Sequence, residues 1–169
     1  MYDLENIKDL LYGQDSAELG LLYLDQNIES GGLESADFKD RFLLVAHWMC
    51  KYTMTWAMKT DREIIKLVVG AEKIRISIHC GAIPPDIMLL RNLKVIDACQ
   101  SGIRSLPSSI GQLQNLEALF LDGTYVKSLP DSVKSLRKLT HVDMLDNGVP
   151  PHQAKRIKEL LPEGCEFLY

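Results

Sequence analysis

From Leu90 to Asn147 the chain repeats itself, and the repeat has a fixed period of 23 residues. Leu90-Arg-Asn-Leu93-Lys-Val-Ile96-Asp-Ala98 is followed by Leu113-Gln-Asn-Leu116-Glu-Ala-Leu119-Phe-Leu121 and then by Leu136-Arg-Lys-Leu139-Thr-His-Val142-Asp-Met144. The tails match as well, Ile103-Arg-Ser-Leu106-Pro107 against Val126-Lys-Ser-Leu129-Pro130. A fixed period in the twenties with apolar residues at matching offsets predicts a solenoid, in which no coil buries its apolar side alone and stacked neighbours share one continuous core. Ile96/Ala98, Leu119/Leu121 and Val142/Met144 are expected to point inward from short strands. Leu93, Leu116 and Leu139 close the near end, and Ile103/Leu106 and Val126/Leu129 fill the far side.

The stretch Leu106-Pro-Ser-Ser-Ile-Gly-Gln-Leu-Gln-Asn-Leu-Glu-Ala-Leu-Phe-Leu121 closely resembles the leucine-rich repeat family in its short intracellular form. The likeness runs from about Ile83 to Pro150, less than half of the chain. It implies parallel strands lining a concave face, protein ligands on that face and no catalysis. The family usually carries Asn where the strand turns away, and here that column reads Ser101, Thr124, Asn147. Ser and Thr hydroxyls are expected to make shorter versions of the same bond to loop backbone.

Three strands are barely enough to bury a core, so both ends need caps. The fold class that follows is α/β: a helical N-terminal cap over 1–72, a leucine-rich solenoid over 73–149 and a C-terminal cap over 150–169. Leu4, Ile7, Leu10 and Leu11 share one face of a first helix. Asp15 with Glu18 forms a capping box for a second, through Leu19, Leu22 and Leu24, broken at Ser30-Gly31-Gly32. Phe38 to Met58 reads as the central helix of the cap, with Phe38, Phe42, Val45, Met49, Tyr52 and Trp56 on one face, widened by Leu44 and Trp48. His47 is expected to be buried and hydrogen-bonded within it. Met49, Met54 and Met58 read as core filling rather than as a soft binding groove. Thr60 with Glu63 caps a helix over Ile64 to Val69, although that β-rich run also suits a strand. Ile74, Ile76 and Ile78 alternate as a strand of a degenerate first coil, one residue out of period. After Asn147-Gly148, a helix from His152 to Leu161 with Ala154, Ile157, Leu160 and Leu161 inward, then a strand over Cys165 to Tyr169, would close the far end.

The net charge of −4 leaves no general footprint for nucleic acid or anionic lipid. The apolar run Phe42 to Cys50 is too short and too punctuated to cross a bilayer, which needs ~20 residues. Cys50, Cys80, Cys99 and Cys165 stand apart, with no metal-ligand spacing. Met-Tyr-Asp-Leu-Glu-Asn at the start lacks the features of a signal peptide, so free thiols in a reducing cytoplasm are the expectation.

Strand residues that do not face the core are displayed in rows. The concave surface is expected to carry Val95, Asp97, Cys99, Glu117, Phe120, Asp122, His141, Asp143 and Leu145, with Ala118 in the column between Val95 and His141, flanked by Lys94, Thr140, Gln100, Gly123 and Asp146. Phe120 leads, because an outward aromatic rimmed by carboxylates commonly marks a contact surface. The acidic surround predicts a protein partner with a basic surface. An enzyme built on Cys99, His141 and Asp143 fails on geometry: two rungs separate thiol and imidazole by ~10 Å, whereas a nucleophile and its base need ~3 Å. No cofactor or metal is implied. The function predicted is a non-enzymatic protein-interaction module or adaptor, monomeric or a weak homodimer. A scaffold that self-associates through its C-terminal edge strand is the alternative, and an enzyme built on the helical region around His47, Trp48 and Tyr52 comes third.

Overall fold

The computed structural model describes residues 3–12, 17–31, 33–52, 63, 66 and 68–169. Within these, five three-residue strands lie in sequence order in one parallel sheet: β1 (Lys73–Arg75), β2 (Val95–Asp97), β3 (Ala118–Phe120), β4 (His141–Asp143) and β5 (Glu166–Leu168). Ile74 pairs with Ile96, Ile96 with Leu119, Leu119 with Val142, and Val142 with Phe167. The first four of these are buried to 2% exposure or less, Ile96, Leu119 and Val142 at the 23-residue period and Ile74 one residue off it.

Each coil returns through a short 3₁₀ helix: η1 (Pro85–Leu89), η2 (Ser108–Gln112) and η3 (Asp131–Ser135). All three start from a proline, Pro84, Pro107 or Pro130, whose ring fixes φ near −67° and whose carbonyl accepts the first N–H of the turn. Ile87, Ile110 and Val133 then point into the core. Pro150 has the same backbone conformation, but there the chain runs into a ten-residue α-helix, α4 (Pro151–Leu160). That helix buries Ala154 and Ile157 and leaves Leu160 and Leu161 half-buried. It replaces the next 3₁₀ turn, so the 23-residue spacing is not kept between β4 and β5.

At the other end, α1 (Leu4–Tyr12), α2 (Ala17–Glu29) and α3 (Leu33–Tyr52) form the cap, and the described part of the stretch after Thr60, at Lys66, Val68 and Val69, is helical rather than extended. Ile7, Leu11, Leu24, Phe38, Val45 and Met49 join the same buried cluster as the strand residues. Polar contacts tie cap to first coil: Tyr12 Oη donates to the Leu89 carbonyl at 2.6 Å, Asn92 Nδ2 to that of Val69 at 2.9 Å, and Trp48 Nε1 to that of Ala82 at 3.2 Å. Arg41 pairs with Asp86.

Three expectations for the cap are corrected. Leu22 and Leu44 are 45% and 64% exposed, because α2 and α3 are covered on one side only and the margins of their apolar faces stay in solvent. His47 is exposed as well, not buried. The central helix begins at Leu33, well before Phe38. The capping boxes at Asp15 and Thr60, and Met54, Trp56, Met58, Ile64, Ile65 and Leu67, lie outside the described residues, as do the side chains of Leu19, Phe42, Cys50 and Tyr52.

The polar column inside the coils is uneven. Asn147, 5% exposed, accepts the Thr124 N–H at 2.7 Å and donates through Nδ2 to Thr124 Oγ1 and to the Val126 carbonyl, both at 3.0 Å. Thr124 Oγ1 also accepts the Val126 N–H at 3.3 Å. Ser101, expected to bond loop backbone in the same way, does not: its buried hydroxyl has no partner.

Candidate functional site

The outward strand positions form rows because parallel neighbours sit ~4.8 Å apart in register. One row runs Lys73, Val95, Ala118, His141, Glu166 and the next Arg75, Asp97, Phe120, Asp143, Leu168. Just beyond the strands, Cys99, Asp122 and Leu145 follow, with Glu117 beside Ala118. The register therefore brings Val95, Asp97, Phe120, His141 and Asp143 onto one side of the sheet. Val95, Asp97, Cys99, Phe120, Asp122 and Asp143 are half-buried among their neighbours, while Glu117, His141 and Leu145 are exposed.

Phe120 sits between Asp97 and Asp143, as the register demands. Both carboxylates also shape the turn that follows them: Asp97 Oδ1 accepts the Cys99 N–H at 3.3 Å and Asp143 Oδ1 the Leu145 N–H at 3.0 Å. Each keeps its second oxygen for other work. In that turn Gln100, Gly123 and Asp146 all have φ near +60°. Gly123 adds a second effect, because a Cβ there would lie 2.1 Å from Gln100 Nε2. Its absence lets Gln100 reach over to Asp122 Oδ2 at 3.1 Å.

Two ends of the surface escape a reading of the three clear repeats. Lys73 and Arg75 on β1 bring positive charge to one end, with Arg75 Nε 3.7 Å from Asp97 Oδ2 and Lys94 Nζ 2.9 Å from Glu72. On β5, Glu166 meets His141 Nε2 at 2.7 Å and Leu168 is 40% exposed. The acidic character thus belongs to the centre and the C-terminal side rather than to the whole face. The alternation of Ile74 and Ile76 was the signal for Arg75; the one-residue slip in that coil hid which row it joins.

Cys99 is the nucleophile-like side chain on this surface. Burial above all, then the carboxylate of Asp97 and that of Asp122, pushes its thiol up to about 11, the reverse of what an activated cysteine needs. At pH 8 its thiolate fraction should be about a hundredfold below that of an ordinary thiol. Iodoacetamide labelling followed by peptide mass spectrometry should show Cys99 modified slowly in the folded chain and quickly in urea; equal rates would contradict this environment. Among the described residues no cluster of His, Cys, Asp and Glu is arranged to hold a metal ion. No described helix is long and apolar enough to cross a membrane.

No protein-family model matches the chain, and no curated protein matches it significantly. Solved structures do. A leucine-rich repeat protein of Leptospira interrogans aligns over 54% of this chain at 28% identity, with a TM-score of 0.52. The chain spans only 23% of that protein's length. The leucine-rich repeat domain of the type III effector XopL aligns over 47% of this chain and 43% of its own, at 21% identity and a TM-score of 0.23.

Proposed function

The chain is a leucine-rich repeat protein, a fold that serves in general as a protein-interaction module, and from that premise we propose that its concave sheet face binds a protein partner through a basic surface. The observation that carries this is the row Asp97–Phe120–Asp143: an aromatic ring with no core to fill, flanked by carboxylates that each keep an oxygen free of the turn. A half-buried aromatic among charges is what interface hot spots are made of, and a lysine or arginine laid over the ring would meet both the π face and the acids. Val95 and Ala118 extend the apolar centre, while Glu117, Asp122 and Asp146 supply the negative field that would steer such a partner. The adaptor role and a cytoplasmic setting are part of the same proposal.

Phe120→Ala is expected to weaken partner binding by about 2 kcal/mol, roughly thirtyfold, with the fold intact. Asp143→Asn keeps an acceptor for the Leu145 N–H and removes only the charge, so it should slow association, most clearly at low salt. Affinity capture from the source organism identifies the partner, and titration of that partner against the two variants measures the effect. Capture undiminished by Phe120→Ala would move the site off this face.

A further inference from the structure

β5 is the last rung of the sheet, and its outer edge is bare among the described residues. Glu166 N–H bonds the Thr140 carbonyl and Met144 N–H bonds the Leu168 carbonyl, both at 2.8 Å, so residues 166 and 168 turn their main-chain groups toward β4. Alternation along a strand then sends the N–H and C=O of Phe167 the other way, off the edge. Natural sheets usually blunt such an edge with lysine, proline or a bulge. The outermost strand at the other end does so, carrying Lys73 and Arg75. β5 has none of these devices: Leu168 and Tyr169 are 40% and 51% exposed, and Glu166 is taken up by His141.

We propose that this edge is an interface between two copies of the chain, β5 pairing antiparallel with β5 of a second copy about a two-fold axis through Phe167. A two-fold operation reverses the strand, and it closes the assembly after two copies. The register is not free. The bare groups belong to Phe167, and they are both satisfied when Phe167 of one copy exchanges N–H and C=O with Phe167 of the other. That register sets Tyr169 opposite Cys165 of the second copy.

Side chains and charges fit the same arrangement. Phe167 and Tyr169 stack within one chain at 4.9 Å on the side of the sheet away from the concave rows, so the two-fold brings four rings together. Cross-strand aromatic pairs of this kind stabilise sheets. Beneath the edge lies a groove of about 390 Å³ lined by Lys158, Leu161, Glu163, Cys165 and Phe167, with room for a phenol ring. The Tyr169 ring of the second copy arrives there. Lys158, 5.2 Å from the centroid of its own Tyr169, is carried with that ring toward Glu163 across the axis, and the symmetry supplies the contact twice. This complementarity of charge and register selects a second copy over a foreign strand.

Sedimentation equilibrium of the intact chain over a concentration series should show a mass rising from 19.1 kDa to twice that value and no further. Phe167→Pro removes the N–H at the axis and should weaken the dimer at least about tenfold. If circular dichroism shows that variant misfolded, Tyr169→Asp, at an exposed position, takes its place with the same expectation. Tyr169→Cys tests the register: opposed residues ~5.5 Å apart at Cα are within disulfide reach, so mild oxidation should give a covalent dimer. The link should vanish when Cys165→Ser is added. A single 19.1 kDa species at every concentration overturns the proposal, as does open-ended growth, which would mean head-to-tail stacking. A cross-link that survives Cys165→Ser overturns the register.

Discussion

Asn147→Ala is expected to lower the free energy of unfolding by about 3–4 kcal/mol, among the largest effects of any polar substitution in this chain. The amide makes three hydrogen bonds, all to the preceding coil and all inside the stack. Removing it leaves the Val126 carbonyl buried without a partner, which costs about 1–3 kcal/mol, and takes from the Thr124 N–H the shorter of its two bonds, leaving the 3.2 Å contact to the Leu121 carbonyl. The same column supplies the control. Ser101→Ala removes a buried hydroxyl that bonds nothing, so it should be neutral or slightly stabilising. Thr124→Ala should fall between, since Thr124 Oγ1 serves the Val126 N–H and Asn147 Nδ2. Urea unfolding at constant slope gives the ordering directly. Equal losses at 101, 124 and 147 would mean that the column acts through packing alone.

The reason for that gradient also shows what a sequence of this kind reveals and what it hides. The three clear repeats could be read to the residue, because a period of 23 fixes both which side chains are sealed and which neighbours they meet; Ile96, Leu119 and Val142 sit where the period puts them. The first coil is one residue short between its strand and its 3₁₀ turn, Ile74 to Ile87 against Ile96 to Ile110. The tight Ser77–Cys80 turn absorbs the loss, so β1 still pairs in register. Ser101 is the residue that should bond that shortened coil, and a hydroxyl is too short a reach to compensate. Substituting Ser for Asn in a pattern says nothing about the coil beneath it. The helical cap was legible as helices with apolar faces, but not in how much of each face is covered. Leu22, Leu44 and His47 depend on where the first coil ends and solvent begins, which helical periodicity does not encode. For the concave rows, sequence gave the positions of Phe120 and Asp143. The charge around them turned on Arg75 and Glu166, which enter only once the irregular first and last strands are in register.

Gly111→Ala, a single added methyl, should destabilise the chain by about 3 kcal/mol. Gly111 lies in η2, and a Cβ built there would be 2.4 Å from the Ser132 carbonyl oxygen, 2.6 Å from Ser132 Cβ and 2.9 Å from the Ser132 carbonyl carbon. Two of those atoms are backbone of η3, so no rotamer change relieves the contact. The two turns would have to separate by about an ångström, and Ile110 and Val133, both fully buried, are packed across that seam. Separation at η2 and η3 also strains the rungs joining β2 to β3, because the same two coils carry both. Gly81→Ala provides the contrast: no atom lies within 4 Å of its Cβ and its φ is unexceptional, so it should be neutral or gain a few tenths of a kcal/mol through the unfolded chain. If calorimetry found Gly111→Ala no worse than Gly81→Ala, the close approach of η2 to η3 would be absent in solution.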